Sequence, residues 1–347
     1  MSNKHIFIIY TGGTVGMKKS PTGFQPAPGF LTDTLSKLSE FQHDELPSYT
    51  IFECDPLLDS SDIGPSHWAV IASLIESNYR QYDGFIVIHG TDTMAYTASA
   101  LSFMLKQLSK PVIFTGAQVP LAEVHTDARE NLLVAMLLAG NSHLPEVCIY
   151  FNNLLLRGNR SHKIDSQRAS AFVSPNYPFL AEVGTSIKFY YESILKPSDK
   201  PLELQSIKPA AIACLTIFPG IQYSHLNVLL ERPPKAIILR SYGAGNAPIT
   251  DPDFKRFVQQ ALDSNVVITN LTQCLAGGVD MQAYHNGRTL LDMGVISALD
   301  MTFEALVCKL QYLLTHDPEN TANDIQLNFR GELTPLSPTA APVGKLR

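Results

Sequence analysis

Two short stretches place hydroxyls where hydroxyls do chemistry. Thr11-Gly12-Gly13-Thr14 follows an apolar run from His5 to Tyr10, and Gly90-Thr91-Asp92-Thr93 follows another from Gly84 to His89. In each, glycine allows a sharp turn and clears side chains from the backbone beside the threonine. An isolated turn threonine usually bonds local backbone and does nothing else. Two such turns in one domain, one with a carboxylate attached, together with a lysine farther along the chain, fit nucleophilic catalysis. A third stretch, Asp55-Pro56-Leu57-Leu58-Asp59-Ser60-Ser61-Asp62, gathers three acids and two serines. Carboxylates would take an ammonium group there, and serine hydroxyls with backbone N–H groups a carboxylate, so the stretch suits a zwitterion. The same residues also suit a helix cap, because a helix is expected to begin near Pro65. Capping accounts for one or two of the five.

These residues need rigid supports. The runs 5–10 and 84–89 are β-branched and aromatic, lack a polar face and are too short for helices, which predicts strands buried on both faces of a parallel sheet. Ligands in such sheets bind at the carboxyl ends of the strands. Further strands are expected at 49–54, 111–115 and 146–151, with helices at 65–79, 94–108 and 127–139. Trp68, Ile71, Ala72, Ile75 and Tyr79 share one face of the first helix. The alternation predicts an α/β fold of two domains: a larger N-terminal one with a mostly parallel sheet and flanking helices, and a smaller C-terminal α/β domain. The expected bounds are 1–192 for the catalytic domain, 193–208 for a linker, 209–333 for the second domain and 334–347 for a disordered tail. The second domain should hold strands near 210–217, 236–240 and 266–269, and helices near 253–264 and 302–314. Residues 18–29, polar with three prolines and two glycines, read as an exposed loop placed to close over a substrate.

Composition removes several classes. The 347 residues are 45% hydrophobic and 17% charged, enough for a sizeable core, and the net charge of −6 with no basic stripe argues against nucleic acid. Five cysteines without a C-x-x-C pair support neither zinc nor a redox motif, and all but Cys274 lie among apolar neighbours, where a buried thiol is the default. No apolar run approaches the roughly 20 residues that span a bilayer, and no secretory leader is evident, so a cytoplasmic protein without membrane partners is expected. There is no phosphate-cradling G-x-x-x-x-G-K-[S/T], and Pro248 breaks the dinucleotide pattern that Gly243-Ala244-Gly245 begins. With no H-E-x-x-H and no clustered His/Cys, no metal and no cofactor are expected. A G-x-S-x-G elbow is also absent.

The two threonine stretches carry a family resemblance. Thr11-Gly12-Gly13-Thr14 and His89-Gly90-Thr91-Asp92-Thr93-Met94 are similar to the paired signatures of bacterial type I (cytoplasmic) L-asparaginases. The likeness continues through Asp59-Ser60-Ser61-Asp62, Asn159-Arg160, Lys163, Ser241-Tyr242-Gly243, Asn246 and Asn270-Leu271-Thr272-Gln273-Cys274, over roughly residues 3–333. It implies hydrolysis of L-asparagine to L-aspartate and ammonia through a threonyl ester. Thr14 would be the nucleophile, and Thr91 with Lys163 and Asp92 the proton-handling group. Asp59, Ser60, Ser61, Thr91 and Asp92 would bind substrate, backbone N–H groups near Thr91 would stabilise the oxyanion, and Asn246 would reach in from a neighbouring copy. It also implies a homodimer or a dimer of dimers. Some members carry a regulatory asparagine site, whose counterparts here are His162 and Arg240; the usual threonine is histidine in this chain. Phe24 aligns with a lid tyrosine of the family, and lacks the hydroxyl that could relay a proton. The substitution keeps two alternatives open: an amino-acid-binding regulator with little catalysis, or an asparaginase-like amidotransferase subunit.

Overall fold

The computed structural model describes residues 4–21, 23–141 and 143–335. The chain divides into two compact units between Pro209 and Ala210. In chain order the first unit opens with β1 (His5–Gly12), β2 (Met17–Ser20), β3 (Gly23–Pro26), α1 (Phe30–Leu35), β4 (Ser48–Leu58) and α2 (Pro65–Asn78). It continues with β5 (Gly84–Ile88), α3 (Met94–Met104), β6 (Leu105–Lys106), β7 (Val112–Thr115), α4 (Ala128–Ala139), β8 (Val147–Phe151) and β9 (Leu154–Arg157). It ends with β10 (His162–Lys163), β11 (Phe172–Val173), β12 (Ala181–Val183), β13 (Ile187–Phe189) and β14 (Glu203–Leu204).

Eight strands form one sheet in the order β13-β12-β9-β8-β7-β5-β1-β4. From β4 to β8 neighbouring strands are parallel, and β9, β12 and β13 add an antiparallel edge. Every residue of β5, β7 and β8 is buried, as the continuous apolar runs require of strands covered on both faces. The strand order reverses beside β1. The chain leaves β1 toward β4 on one side and leaves β5 toward β7 on the other, so the carboxyl ends of β1 and β5 flank a topological switch point, where open α/β sheets leave a crevice. The core on one side of the sheet joins Ile6, Ile8 and Tyr10 to Ile86, Ile88 and the inner face of α4.

Several local expectations shift. Residues 18–29, expected as a loop, include most of an antiparallel hairpin, β2 with β3, in which Lys19 faces Phe24. The third helix stops at Met104 rather than near Leu108, because Leu105–Lys106 pair with Leu204 and Glu203. Those two partners lie in the stretch expected as a linker. The strand expected at 49–54 runs to Leu58, and its register against β1 slips between Tyr10 and Gly12, which carries Asp59 to the end of the β1 turn.

The second unit holds β15 (Ile212–Thr216), α5 (Val228–Glu231), β16 (Ala236–Ser241), α6 (Pro252–Asp263), β17 (Val267–Thr272), α7 (His285–Met293), β18 (Ile296–Ser297), α8 (Phe303–His316) and α9 (Thr321–Asp324). Its four strands are parallel and follow chain order. One core, built on Phe254, Phe257 and Leu290, contains Ile237 and Ile268; another, built on Leu306, Leu310 and Leu313, contains Ile238 and Leu271. Cys214 is exposed rather than buried, since β15 is an edge strand with an uncovered face in this unit. Thr334 is held by Asp300 through its N–H at 2.8 Å and its hydroxyl at 2.6 Å. The rest of the expected tail, from 336, lies outside the described residues. Among the described residues no helix is long and apolar enough to cross a membrane.

Candidate active site

The switch point brings three turns into contact. The Thr11 hydroxyl donates to the Ile88 carbonyl at 3.0 Å and pins the end of β1 to β5. The chain then turns through Gly13 at φ 82°, where a Cβ would sit 2.5 Å from the backbone N and Cα of Gly90. A Cβ on Gly90 would in turn sit 2.5 Å from Ser60 Oγ. Glycine is required at both positions by this close approach. The turns that carry Thr14, Thr91 and Ser60 therefore touch, backbone to backbone or backbone to hydroxyl. Thr14 opens a single helical turn to Gly16 and is half-buried, with Val15 and Gly16 buried beneath it. The Val15 carbonyl accepts from Leu121 N–H at 3.1 Å, which ties this turn to the loop after β7.

Lys163 joins the second turn from far along the chain. Its Nζ donates to Thr91 Oγ1 at 2.7 Å and to Asp92 Oδ1 at 2.7 Å. The lysine side chain is 16% exposed, the aspartate 65%. The lysine is held from behind: Arg157 Nε meets Glu146 Oε2 at 2.6 Å, with both side chains 3% exposed, and Arg157 also donates to the Ser193 carbonyl at 2.7 Å. The Ser161 hydroxyl donates back to the Arg157 carbonyl at 2.7 Å, so the backbone entering β10 is fixed before it reaches Lys163.

Two further residues support Thr91. His89 is fully buried, with Nδ1 2.7 Å from the Gly90 carbonyl and Nε2 2.9 Å from Thr97 Oγ1. A carbonyl only accepts, so Nδ1 carries the proton and Nε2 accepts from the threonine hydroxyl. Burial, partly opposed by the Gly90 carbonyl, pushes this imidazole down to about 4. It is neutral at physiological pH and holds the Gly90 carbonyl in place. Gln118 is the other: Thr91 Oγ1 donates to its Oε1 at 3.3 Å. Neither His89 nor Gln118 was expected in the site. Gln118 does share the pattern of its neighbours, a turn after a buried strand (Gly116-Ala117-Gln118), which was the available signal.

The other expected residues divide. Asp59 Oδ1 accepts from Ser61 N–H and Ser61 Oγ, both at 2.9 Å, so Asp59 caps the turn Ser60–Asp62. Ser60 is buried, and its carbonyl accepts from Thr93 Oγ1 at 2.6 Å. Phe24 sits on the hairpin, 45% exposed. His162 lies beside Lys163 on β10. Arg240 and Asn246 belong to the second unit. Arg240 lies on β16 with its guanidinium 5.5 Å from the Phe303 ring, and Asn246 closes a turn with Tyr242 through backbone bonds of 2.8 and 2.9 Å. Among the described residues no group of three or more His, Cys, Asp or Glu is placed to hold a metal ion.

An α/β sheet with hydroxyls, an amine and a carboxylate converging at its switch point is the framework of an acyl-transfer enzyme. The model of the asparaginase N-terminal domain matches residues 5–195, and that of the glutaminase/asparaginase C-terminal domain matches residues 211–329. The chain belongs to the asparaginase family. It is 47% identical over 337 residues to L-asparaginase 1 of Escherichia coli K12, covering 96% of this chain and 99% of the relative. The crystal structure of L-asparaginase I from Vibrio cholerae superposes with a TM-score of 0.89 at 45% identity, over 96% of this chain and 100% of that one. The thermostable L-asparaginase of Thermococcus kodakarensis gives 0.86 at 30% identity, over 95% and 99%.

Proposed function

We propose that this protein hydrolyses L-asparagine to L-aspartate and ammonia through a covalent threonyl ester. One observation carries the reading: Lys163 Nζ stands 2.7 Å from both Thr91 Oγ1 and Asp92 Oδ1, on a turn whose glycine touches the turn of Thr14. Thr14 Oγ attacks the side-chain carboxamide carbon. The C–N bond breaks, ammonia leaves with the proton from Thr14, and a β-aspartyl ester remains. Water then attacks the ester carbon as its bond to Thr14 Oγ breaks; the Thr91–Lys163 pair passes one of the water protons to Thr14 Oγ, and the other, from the new carboxyl group, is taken up by the ammonia. Asp59, Ser60, Ser61 and Asp92 hold the ammonium and carboxylate of the substrate. Asn246 completes the pocket from a neighbouring copy, in a homodimer or a dimer of dimers working in the cytoplasm. Similarity over 96% of this chain and 99–100% of the L-asparaginase relatives supports the substrate assignment.

Thr14→Ala should lower ammonia release by about 10³-fold or more, as loss of a nucleophile does. Near-normal turnover in that variant removes Thr14 from the role. Phe24 motivates one other reading, an amino-acid-binding regulator: a phenyl ring can cover the substrate and cannot pass a proton. Tight asparagine binding without ammonia release, in the parent chain, would favour it.

A further inference from the structure

The hairpin β2–β3 grows directly out of the Thr14 turn, and its two legs are fastened differently. Val15 and Gly16 are buried before it and Leu31 is buried after it, while Lys18, Lys19, Gly23, Phe24 and Gln25 between them are exposed. Ala27 N–H donates to the Gly16 carbonyl at 3.2 Å across the neck. The entry leg rests on Tyr10: a Cβ on Gly16 would overlap the Tyr10 hydroxyl, so the chain runs flush over that ring. The exit leg passes through Gly29 at φ 74°, which precedes α1 and has no side chain to cap it. Glu53 supplies the cap from β4. Its Oε2 accepts from Gly29 N–H at 2.7 Å, and its Oε1 accepts from Thr32 Oγ1 at 2.7 Å and Thr32 N–H at 3.3 Å. Lys18 Nζ lies 4.3 Å from the centre of the Phe30 ring, so the hairpin also leans on the first residue of the helix that Glu53 caps. Tyr10 and Glu53 are partners across the β1–β4 ladder, the last pair before its register slips. Burial, with the nearby Glu53 charge adding to it, pushes the Tyr10 phenol up.

We propose that Glu53 is a positioning residue, a clamp on the exit leg that sets how readily the hairpin opens. One rung of the sheet then carries both legs, with Tyr10 under the entry and Glu53 at the exit. A carboxylate that accepts from N–H and O–H groups makes charge-assisted bonds, and the first turn of a helix favours its charge. Leu31 and Leu35 hold α1 in the core independently of Glu53. Losing the clamp therefore frees the hairpin and leaves the fold beneath it in place. That the hairpin covers a substrate rests on the function proposed above; that Glu53 fastens it does not.

The test is brief trypsin digestion of the ligand-free chain, following the cuts after Lys18 and Lys19. It compares the parent with Glu53→Ala, Thr32→Val and the double variant. Cleavage of a folded chain tracks local opening, so the hairpin cuts should be about fivefold or more faster in Glu53→Ala and about twofold faster in Thr32→Val. The double variant should be no faster than Glu53→Ala, because both changes remove the same contact. Cuts elsewhere should keep the parent rate. Hairpin cleavage at the parent rate in Glu53→Ala, or an equal rise at every site, overturns the proposal. If Glu53→Ala folds poorly, Thr32→Val decides: its valine keeps the shape and loses the hydroxyl, and a parent-like rate there also overturns the proposal. A parallel assay of ammonia release from L-asparagine keeps the wider reading separate. With the clamp and the proposed function both right, kcat and KM of Glu53→Ala shift together and kcat/KM falls about fivefold. Faster hairpin cleavage in a chain whose parent releases no ammonia upholds the clamp and removes the function.

Discussion

Each unit contains a lysine in contact with a carboxylate, and the two pairs have different jobs. Lys163 meets Asp92 at 2.7 Å at the mouth of the switch point, with the aspartate 65% exposed. Lys309 meets Glu332 at 2.6 Å with both side chains at 0% exposure. The second pair is sealed and saturated. Lys309 also donates to the Leu327 carbonyl, and Glu332 accepts from the N–H groups of Phe329 and Arg330. Burial pulls the Lys309 ammonium below its ordinary value even though Glu332 pushes the other way. This pair fastens the 327–333 loop to α8. The first pair leaves its carboxylate open to solvent and turns the lysine toward a hydroxyl, the arrangement that the proposed proton transfer needs. Distance does not separate them. Solvent and the third partner do.

Breaking each pair should expose the difference. Lys163→Met should lower kcat by about 10³-fold while the unfolding free energy changes by less than about 1 kcal/mol, because a pair with an exposed carboxylate contributes little to stability. Lys309→Met should do the reverse. It strands a buried carboxylate, and denaturant unfolding should show a loss of about 3–5 kcal/mol with kcat per folded molecule unchanged. If both variants lose mainly stability, the division of roles is wrong.

His89 offers a pH-resolved form of the same contrast. Its ordinary value of 6.5 falls to about 4 in the folded chain, chiefly through burial. Below pH 6.5 the unfolded chain takes a proton that the folded chain refuses. Stability from this group is therefore complete above pH 6.5 and declines as pH falls toward 4, by roughly 3 kcal/mol in all. His89→Gln keeps a donor for Gly90 and does not titrate, so its stability should fall less steeply over that window than the parent's.

The smallest effect concerns the hairpin. Phe24→Tyr places a hydroxyl on the β2–β3 hairpin and, if the hairpin closes over substrate as proposed, should raise kcat a few-fold, on the order of 1 kcal/mol in barrier. An unchanged kcat in steady-state assays means that the missing hydroxyl does not limit turnover.

What the chain disclosed before folding was what is local. The runs at 5–10 and 84–89 are mostly apolar and lead within two residues into glycine turns, and both facts act within a few residues. The helices at 252 and 303 open on the side-chain caps Asp251 and Thr302, and the helix at 65 shows a single apolar face. What stayed hidden depends on sheet order. The Lys163–Thr91 bond joins residues 72 apart in sequence, and Thr91–Gln118 joins residues 27 apart. No spacing rule encodes either; the first was expected only through family resemblance, the second not at all. The end of α3 at Met104 was missed for the same reason, since its strand partner lies near 203. The hairpin at 17–26 was read as loop because its prolines and glycines signal a turn without signalling the short strands around it.

The central claim is that Thr14 carries the acyl group, and it can be tested on the unmodified enzyme. Mixing with asparagine, quenching in acid within one turnover and mapping the peptides should find an aspartyl ester on the peptide that contains Thr14. An ester mapped to Thr91 or another residue, or ammonia and aspartate released together with no ester at any time point, would contradict it.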